Sequence, residues 1–307
     1  MVTFAQLVCA LLLPLGLGVL LSATARGLLT SSARQAEQDE GQRGLGGFLV
    51  VFIVIIAQAA CAAAIDAPLV PPRAGWFWLP WALLIGVLPA VTLTFPSGWW
   101  RWSLHGVLAG AGGSLVLFPV SHSAHDVLIS GLWIAAAVAC VGLSAWATRT
   151  RSTTAWDEPQ PLTEQAAAAI VGGLVAAGAL LSGSKDFALL AMIVPMGILG
   201  LAVSSRLLVD RPDRPAMWAG GNLATAHVVA LTLLINGHYS EMPWYGALAL
   251  AAALPLGGFA AQLGQTDSSK RSWRLGVTIA IGLVGVVLIL LLGQPPAAAS
   301  DGPDYHY

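Results

Sequence analysis

Residues 275–293 read LGVTIAIGLVGVVLILLLG, an apolar run without a single charge. A helix rises about 1.5 Å per residue, so a run of this length nearly crosses the ~30 Å hydrocarbon core of a bilayer. Similar runs recur along the whole chain. Together they predict ten transmembrane helices, numbered in chain order, at 3–24, 46–65, 77–95, 105–120, 127–147, 164–182, 187–205, 217–236, 244–263 and 275–293.

The composition of the chain agrees with a protein embedded in lipid. Hydrophobic residues make up 57% and charged residues 9%, whereas about a quarter of the residues of a soluble protein are charged. A closed β-barrel is excluded because the runs do not alternate between apolar and polar residues. We therefore predict an all-α polytopic membrane bundle. Residues 1–293 form its single transmembrane domain, and the Pro- and Ala-rich residues 294–307 form a disordered extracytoplasmic tail.

The basic residues predict the orientation of this bundle. Twelve of the 14 Lys and Arg residues fall in the odd-numbered loops between predicted helices, and the even-numbered loops hold only Arg73 and Lys185. Because basic loops stay on the cytoplasmic side, we expect both termini on the outer side of a plasma or inner membrane. No basic cluster is longer than three residues, so nucleic acid is not an expected partner.

A faint internal repeat divides the predicted helices into two sets. A shift of about 116 residues places Trp102 on Trp218 and His122 on His238. In both copies an inner Trp is followed by a helix, an outer His and another helix. The repeat predicts that helices 2–5 and 6–9 form two parallel four-helix units, flanked by helices 1 and 10.

Predicted helix 8 stands out for its polar residues. Four of them share an arc of about 80°, and His227 lies roughly opposite; the four are Asn222, Thr225, Thr232 and Asn236. Lipid excludes polar groups on both faces, so other helices are expected to enclose helix 8. Two interpretations are open for these five residues: interhelical hydrogen bonds, each worth about 0.6 kcal/mol, or a substrate-binding surface.

Predicted helix 4 is the counterpart of helix 8 in the repeat. Small residues lie along one of its faces, where a neighbouring helix can approach closely; they are Gly106, Ala109, Gly110 and Gly113. Gly-interrupted segments at corresponding positions of two halves are a sequence pointer to a transporter site. The candidate substrate site therefore lies between helices 4 and 8, with this small-residue face directed at helix 8.

A second candidate site, for a transition metal, is expected on the outer face. Imidazole and carboxylate groups together bind such ions, and the candidate ligands are His122, His125, His238 and Glu241. The alternative is a structural role for the residues at the start of helix 5, because residues 123–126 form a capping box there. The outer run 75–81 (GWFWLPW) resembles the Trp-rich segments of haem-handling membrane proteins of cytochrome c assembly, without their longer Trp-Asp signature.

Three functions follow from these observations. The first is a carrier for a small solute, with its site between helices 4 and 8. The second is a non-catalytic subunit or scaffold that packs against partner membrane subunits, and the third is a membrane protein that handles metal or haem. An enzyme is less favoured, because the chain has neither a phosphate-binding loop nor a G-x-S-x-G motif. The sequence specifies no cofactor.

Overall fold

A computed structural model describes residues 4–21, 52–60, 81–85, 99–117, 124–149, 160–208, 226–235, 237–238, 242–264 and 266–293. Within these ranges the regular structure is helical and contains no strand. The predictions made for the tail 294–307 lie outside the described residues. The same is true of those made for Asn222, Thr225, Asn236, His122 and Glu241.

Each of the ten predicted runs overlaps a described helix. In chain order these are α1 (Phe4–Leu21, with a π-helical turn at Val8–Leu12), α2 (52–60), α3 (81–85), α4 (Trp99–Leu117), α5 (Ala124–Arg149), α6 (Gln160–Leu181), α7 (Lys185–Leu208), α8 (Ala226–Ile235), α9 (Trp244–Ala260, extended by a 3-10 turn at Ala261–Leu263) and α10 (Asp267–Leu292).

Four of the described helices are long and apolar enough to cross a membrane: α1, α5, α9 with its 3-10 turn, and α10. These helices keep large apolar side chains exposed, such as Leu132 on α5 and Leu291 on α10. Extended apolar surface of this kind is unfavourable in water and suits contact with lipid. The described chain is therefore an all-helical bundle with the features of a multi-pass membrane protein.

The last helix begins eight residues earlier than its apolar run predicts, at Asp267 rather than at 275. Thr266 has an extended backbone and its side chain accepts a hydrogen bond from the Ser269 N–H at 3.2 Å. This bond satisfies one of the N–H groups left open at a helix start. Lys270, Arg271 and Arg274 are consequently helical residues and not loop residues.

Helices α9 and α10 pack against each other in opposite directions, and glycines bring their backbones close. Near the start of α9, a methyl group added at Gly246 would lie 2.9 Å from the Gly285 carbonyl oxygen, towards the end of α10. Towards the end of α9, a methyl group added at Gly257 would meet Arg274 and Thr278, near the start of α10. The order of these contacts identifies an antiparallel pair.

A three-residue turn joins α6 to α7. Gly183 in this turn has a φ of 86°, a conformation that favours glycine. The Ser184 N–H donates a hydrogen bond to the Ala179 carbonyl at 3.0 Å, which closes the end of α6. Across the hairpin, a methyl group added at Gly172 would lie 3.0 Å from Pro195 Cδ on α7. The two helices therefore form a tightly packed antiparallel pair.

Helix α8 is the enclosed helix of the bundle. Every residue from Ala226 to Ile235 is buried, including His227 and Thr232. Just beyond its end, Gly237 lies against the indole ring of Trp133 on α5. The prediction that other helices enclose helix 8 is confirmed for these residues.

Candidate functional site

Helices α4 and α8 lie side by side and run in the same direction. The ring of His105 on α4 contacts that of His227 on α8. Two turns further along α4, a methyl group added at Gly112 would lie 3.4 Å from the side chain of Leu231. Because the contact positions advance along both helices together, the two helices form a parallel pair.

The small residues of α4 face two neighbours rather than one. Methyl groups added at Gly106 and Gly110 would lie 3.3 Å and 3.2 Å from the side chain of Val138 on α5. One added at Gly113 would lie 3.0 Å from Leu234 Cδ1 on α8. The prediction that the whole small-residue face is directed at α8 is therefore wrong. The branched side chain of Val138 fills the groove at the first two glycines, and α8 contacts the helix further along.

The α4–α8 interface buries two imidazole rings in contact with each other. His105 is 0% exposed and His227 is 1% exposed. Their ring centroids are 5.7 Å apart and the ring planes cross at 63°, an edge-to-face arrangement. Among the residues that the structure describes, His227 Nε2 has no hydrogen-bond partner. A buried polar group in this state is unfavourable by about 1–3 kcal/mol.

The structure brings one member of the predicted substrate-binding set, His227, to this interface. Thr232 is buried on the same helix, about 140° around it from His227. The roles of both residues as substrate ligands stay predictions, as do those of Asn222, Thr225 and Asn236.

The sequence pattern does not single out His105. The apolar run that predicts helix 4 begins at residue 105, so the histidine falls at a boundary, where an ionisable side chain needs no explanation. The helix instead begins at Trp99, nearly two turns earlier, which places His105 inside it. A signal was present in the sequence: three tryptophans, Trp99, Trp100 and Trp102, come just before His105. Tryptophans are enriched at the ends of membrane helices, so this cluster favours a helix start before residue 105.

The outer metal site stays a prediction. His125 belongs to the first turn of α5 and His238 is half-buried, while the other two candidate ligands lie outside the described residues. Within the described ranges, no three His, Cys, Asp or Glu side chains gather into a group that could hold a metal ion.

A second buried polar group lies at the junction of α5, α9 and α10. Arg274 is 5% exposed, and its Nη1 donates a hydrogen bond to the Leu254 carbonyl. The Thr278 hydroxyl donates to the Arg274 carbonyl at 2.7 Å. A methyl group added at Gly258 would lie 3.5 Å from Nη1, so the glycines of α9 make the space that the guanidinium fills. These contacts connect α9 to α10 and give Arg274 a structural role.

No protein-family model matches this chain, and no curated protein sequence matches it.

Proposed function

We propose that the protein is a carrier of the cell membrane that moves a small solute through the interface between α4 and α8. The proposal includes ten membrane spans, both termini on the outer side, and two parallel four-helix units with α4 and α8 at equivalent positions. Carriers built from parallel repeats bind their solute near the bilayer midplane, between the units. The lipid bilayer surrounds the bundle in this proposal.

The observation that carries the proposal is the contact between His105 and His227. Ion-coupled carriers keep ionisable groups inside the bundle, where they pair with one another or line a solute pathway. Neutral imidazole has one donor and one acceptor nitrogen, so two rings from two helices can bind a polar solute or an ion between them. A leucine at either position would pack without burying polar atoms.

A non-catalytic scaffold for partner membrane subunits is the second candidate. Its support is the close packing beside the histidines, where a methyl group added at Gly112 would lie 3.4 Å from Leu231. A carrier adopts such a closed interface in one of its states, whereas a scaffold keeps it closed throughout. The two candidates therefore differ in movement, which can be measured before the solute is known.

A thiol-reactivity experiment separates the carrier from the scaffold. The background is a chain with its three cysteines, Cys9, Cys61 and Cys140, replaced by alanine. We expect Leu231→Cys to react with a small water-soluble methanethiosulfonate in native membranes, because opening of the α4–α8 interface would expose this position to water.

Val229→Cys is the matched control for this experiment. Val229 and Leu231 are each 1% exposed, but Val229 lies about 200° around the helix from Leu231. We expect Leu231→Cys to react at least about ten times faster than Val229→Cys, since exposure of position 231 needs only a local opening of the α4–α8 interface. Equally slow reaction at both positions would contradict the carrier and favour the scaffold.

Labelling from the outer face tests the proposed orientation. A membrane-impermeant maleimide added to intact cells should label Tyr307→Cys in the tail, because that end is placed outside. It should not label Pro212→Cys, in a basic loop placed inside, until the membrane is permeabilised. The reverse pattern would contradict the orientation. Labelling of both positions in intact cells would contradict a topology in which the odd-numbered loops lie inside.

A further inference from the structure

Three basic side chains gather at the start of α10. Lys270, Arg271 and Arg274 lie within five residues of one another, and at 100° per residue they share an arc of about 100°. The hydrogen bond from Arg274 to the Leu254 carbonyl shows that this arc is directed at α9. Lys270 is the fourth residue of the helix, so the positive end of the helix dipole adds to the charge of the cluster. This end of the α9–α10 pair therefore suits an anion.

Arg271 is the member of this cluster with a spare donor. The Nη1 of Arg274 is bound to α9, as described above. The Nε of Arg271, by contrast, is buried and has no hydrogen-bond partner among the residues that the structure describes. A buried donor without a partner is unfavourable, and a guanidinium group binds phosphate through two N–H groups of its planar fork. A phosphate oxygen would satisfy this nitrogen.

Exposed apolar side chains lie at the same end of the pair. Trp273 on α10 is 48% exposed, and Leu263, in the 3-10 turn that extends α9, is 71% exposed. A methyl group added at Gly264 would lie 2.5 Å from the Lys270 backbone nitrogen, so the turn is held against the basic end of α10. Because tryptophan prefers the headgroup level of a bilayer, Trp273 indicates that lipid phosphates lie at the height of the cluster.

A phospholipid matches both parts of this surface, since it joins a phosphate to apolar chains. A free phosphate or an acidic segment of another protein would match the basic residues alone. In the proposed orientation this end of α10 faces the cytoplasmic leaflet, where the anionic lipids lie. Basic pockets between helices on that side bind such headgroups.

We propose that an anionic phospholipid binds at the start of α10. Its phosphate accepts hydrogen bonds from Arg271, Lys270 adds positive charge beside it, and its apolar chains lie along Trp273 and Leu263. The site does not depend on movement of a solute between α4 and α8.

Fluorescence quenching by brominated lipids tests the site in the purified full-length protein. The protein in a non-ionic detergent would be titrated with dibrominated phosphatidylglycerol, which is anionic, or with dibrominated phosphatidylcholine, which is neutral. Subtraction of the signal of Trp273→Phe isolates the quenching of Trp273 from that of the other tryptophans. We expect phosphatidylglycerol to quench Trp273 at a lipid fraction at least about ten times lower, since each basic residue near the site favours an anionic lipid about fivefold.

Substitution of Arg271 identifies the residue that holds the phosphate. We expect Arg271→Gln to reduce the preference for phosphatidylglycerol at least about fivefold. Lys185→Gln is the matched control, because it removes one exposed positive charge at the start of α7. That position lies at the opposite end of the bundle, since a methyl group added at Gly178 in the same hairpin would lie 2.8 Å from Ile289, near the end of α10.

The outcomes decide between a lipid site and simple charge attraction. A preference for phosphatidylglycerol that is lost in Arg271→Gln and kept in Lys185→Gln supports the proposal. Equal quenching by the two lipids overturns it, as does a preference that falls equally in both variants or survives both. Release of the lipid by excess inorganic phosphate would make a free anion the occupant and would also overturn it. If Arg271→Gln does not fold, Arg271→Lys decides, because it keeps the charge but lacks Nε; an undiminished preference in that variant contradicts the site.

Discussion

Gly257→Ala is expected to lower the free energy of unfolding by about 3 kcal/mol, at the upper end of the usual cost of overpacking. The added methyl group would lie 2.9 Å from the Arg274 carbonyl oxygen and 2.8 Å from its Nη1, and would overlap Thr278 Oγ1. The carbonyl belongs to the α10 backbone, so it cannot rotate away. The two helices would separate, and the hydrogen bond from Arg274 to the Leu254 carbonyl would be lost.

Gly276→Ala is the matched control on the other helix of this pair. No atom lies within 4 Å of a methyl group added at Gly276, so the substitution should be neutral or stabilising by about 0.5–1 kcal/mol through helix propensity. Thermal unfolding in detergent, followed by Trp fluorescence, compares the two proteins. Equal melting temperatures would mean that α9 and α10 do not approach as closely as described.

The second large effect is expected where α1 crosses α7. A methyl group added at Gly200 on α7 would overlap the carbonyl oxygen of Leu15 on α1 and lie 3.1 Å from its Cα. At the same crossing, a methyl group added at Gly18 would lie 2.8 Å from the Gly197 carbonyl oxygen. Both contacts involve backbone, so α1 can only move as a unit. We expect Gly200→Ala to destabilise the protein by about 3 kcal/mol and to release α1.

Cys9 reports the release of α1, because this residue packs against the core from within that helix. Its reaction with a maleimide should be faster in Gly200→Ala than in the unaltered protein. Gly16→Ala on α1 is the control, since no atom lies within 4 Å of its added methyl group. If the two substitutions had the same effect on Cys9 reactivity and on the melting temperature, the close crossing would be contradicted.

The positions of the helices follow from the length and hydropathy of the apolar runs. The runs predict helices at 127–147 and 164–182, and the structure has them at Ala124–Arg149 and Gln160–Leu181. The agreement has a physical cause, because a chain in lipid satisfies its backbone hydrogen bonds within each helix. An apolar run of sufficient length therefore becomes a helix whatever surrounds it.

The polar ends of the helices do not follow from hydropathy. Arg101 lies in the first turn of α4, and Lys270 and Arg271 lie within the first five residues of α10. Hydropathy assigns all three residues to loops. A side-chain cap satisfies the start of α10, where the Thr266 side chain accepts a hydrogen bond from the Ser269 N–H. For the same reason the sequence pattern does not single out His105. The apolar run places the start of helix 4 at residue 105, whereas the helix begins at Trp99.

The sequence by itself determined that this is an all-helical protein suited to a membrane and that helix 8 is enclosed. Those conclusions depend on composition and periodicity, which are local properties. Only the tertiary structure decided that His105 meets His227 and that Gly106 and Gly110 face α5. Such contacts depend on how separate helices fit together, as where the side chain of Val138 on α5 packs against Gly106 and Gly110.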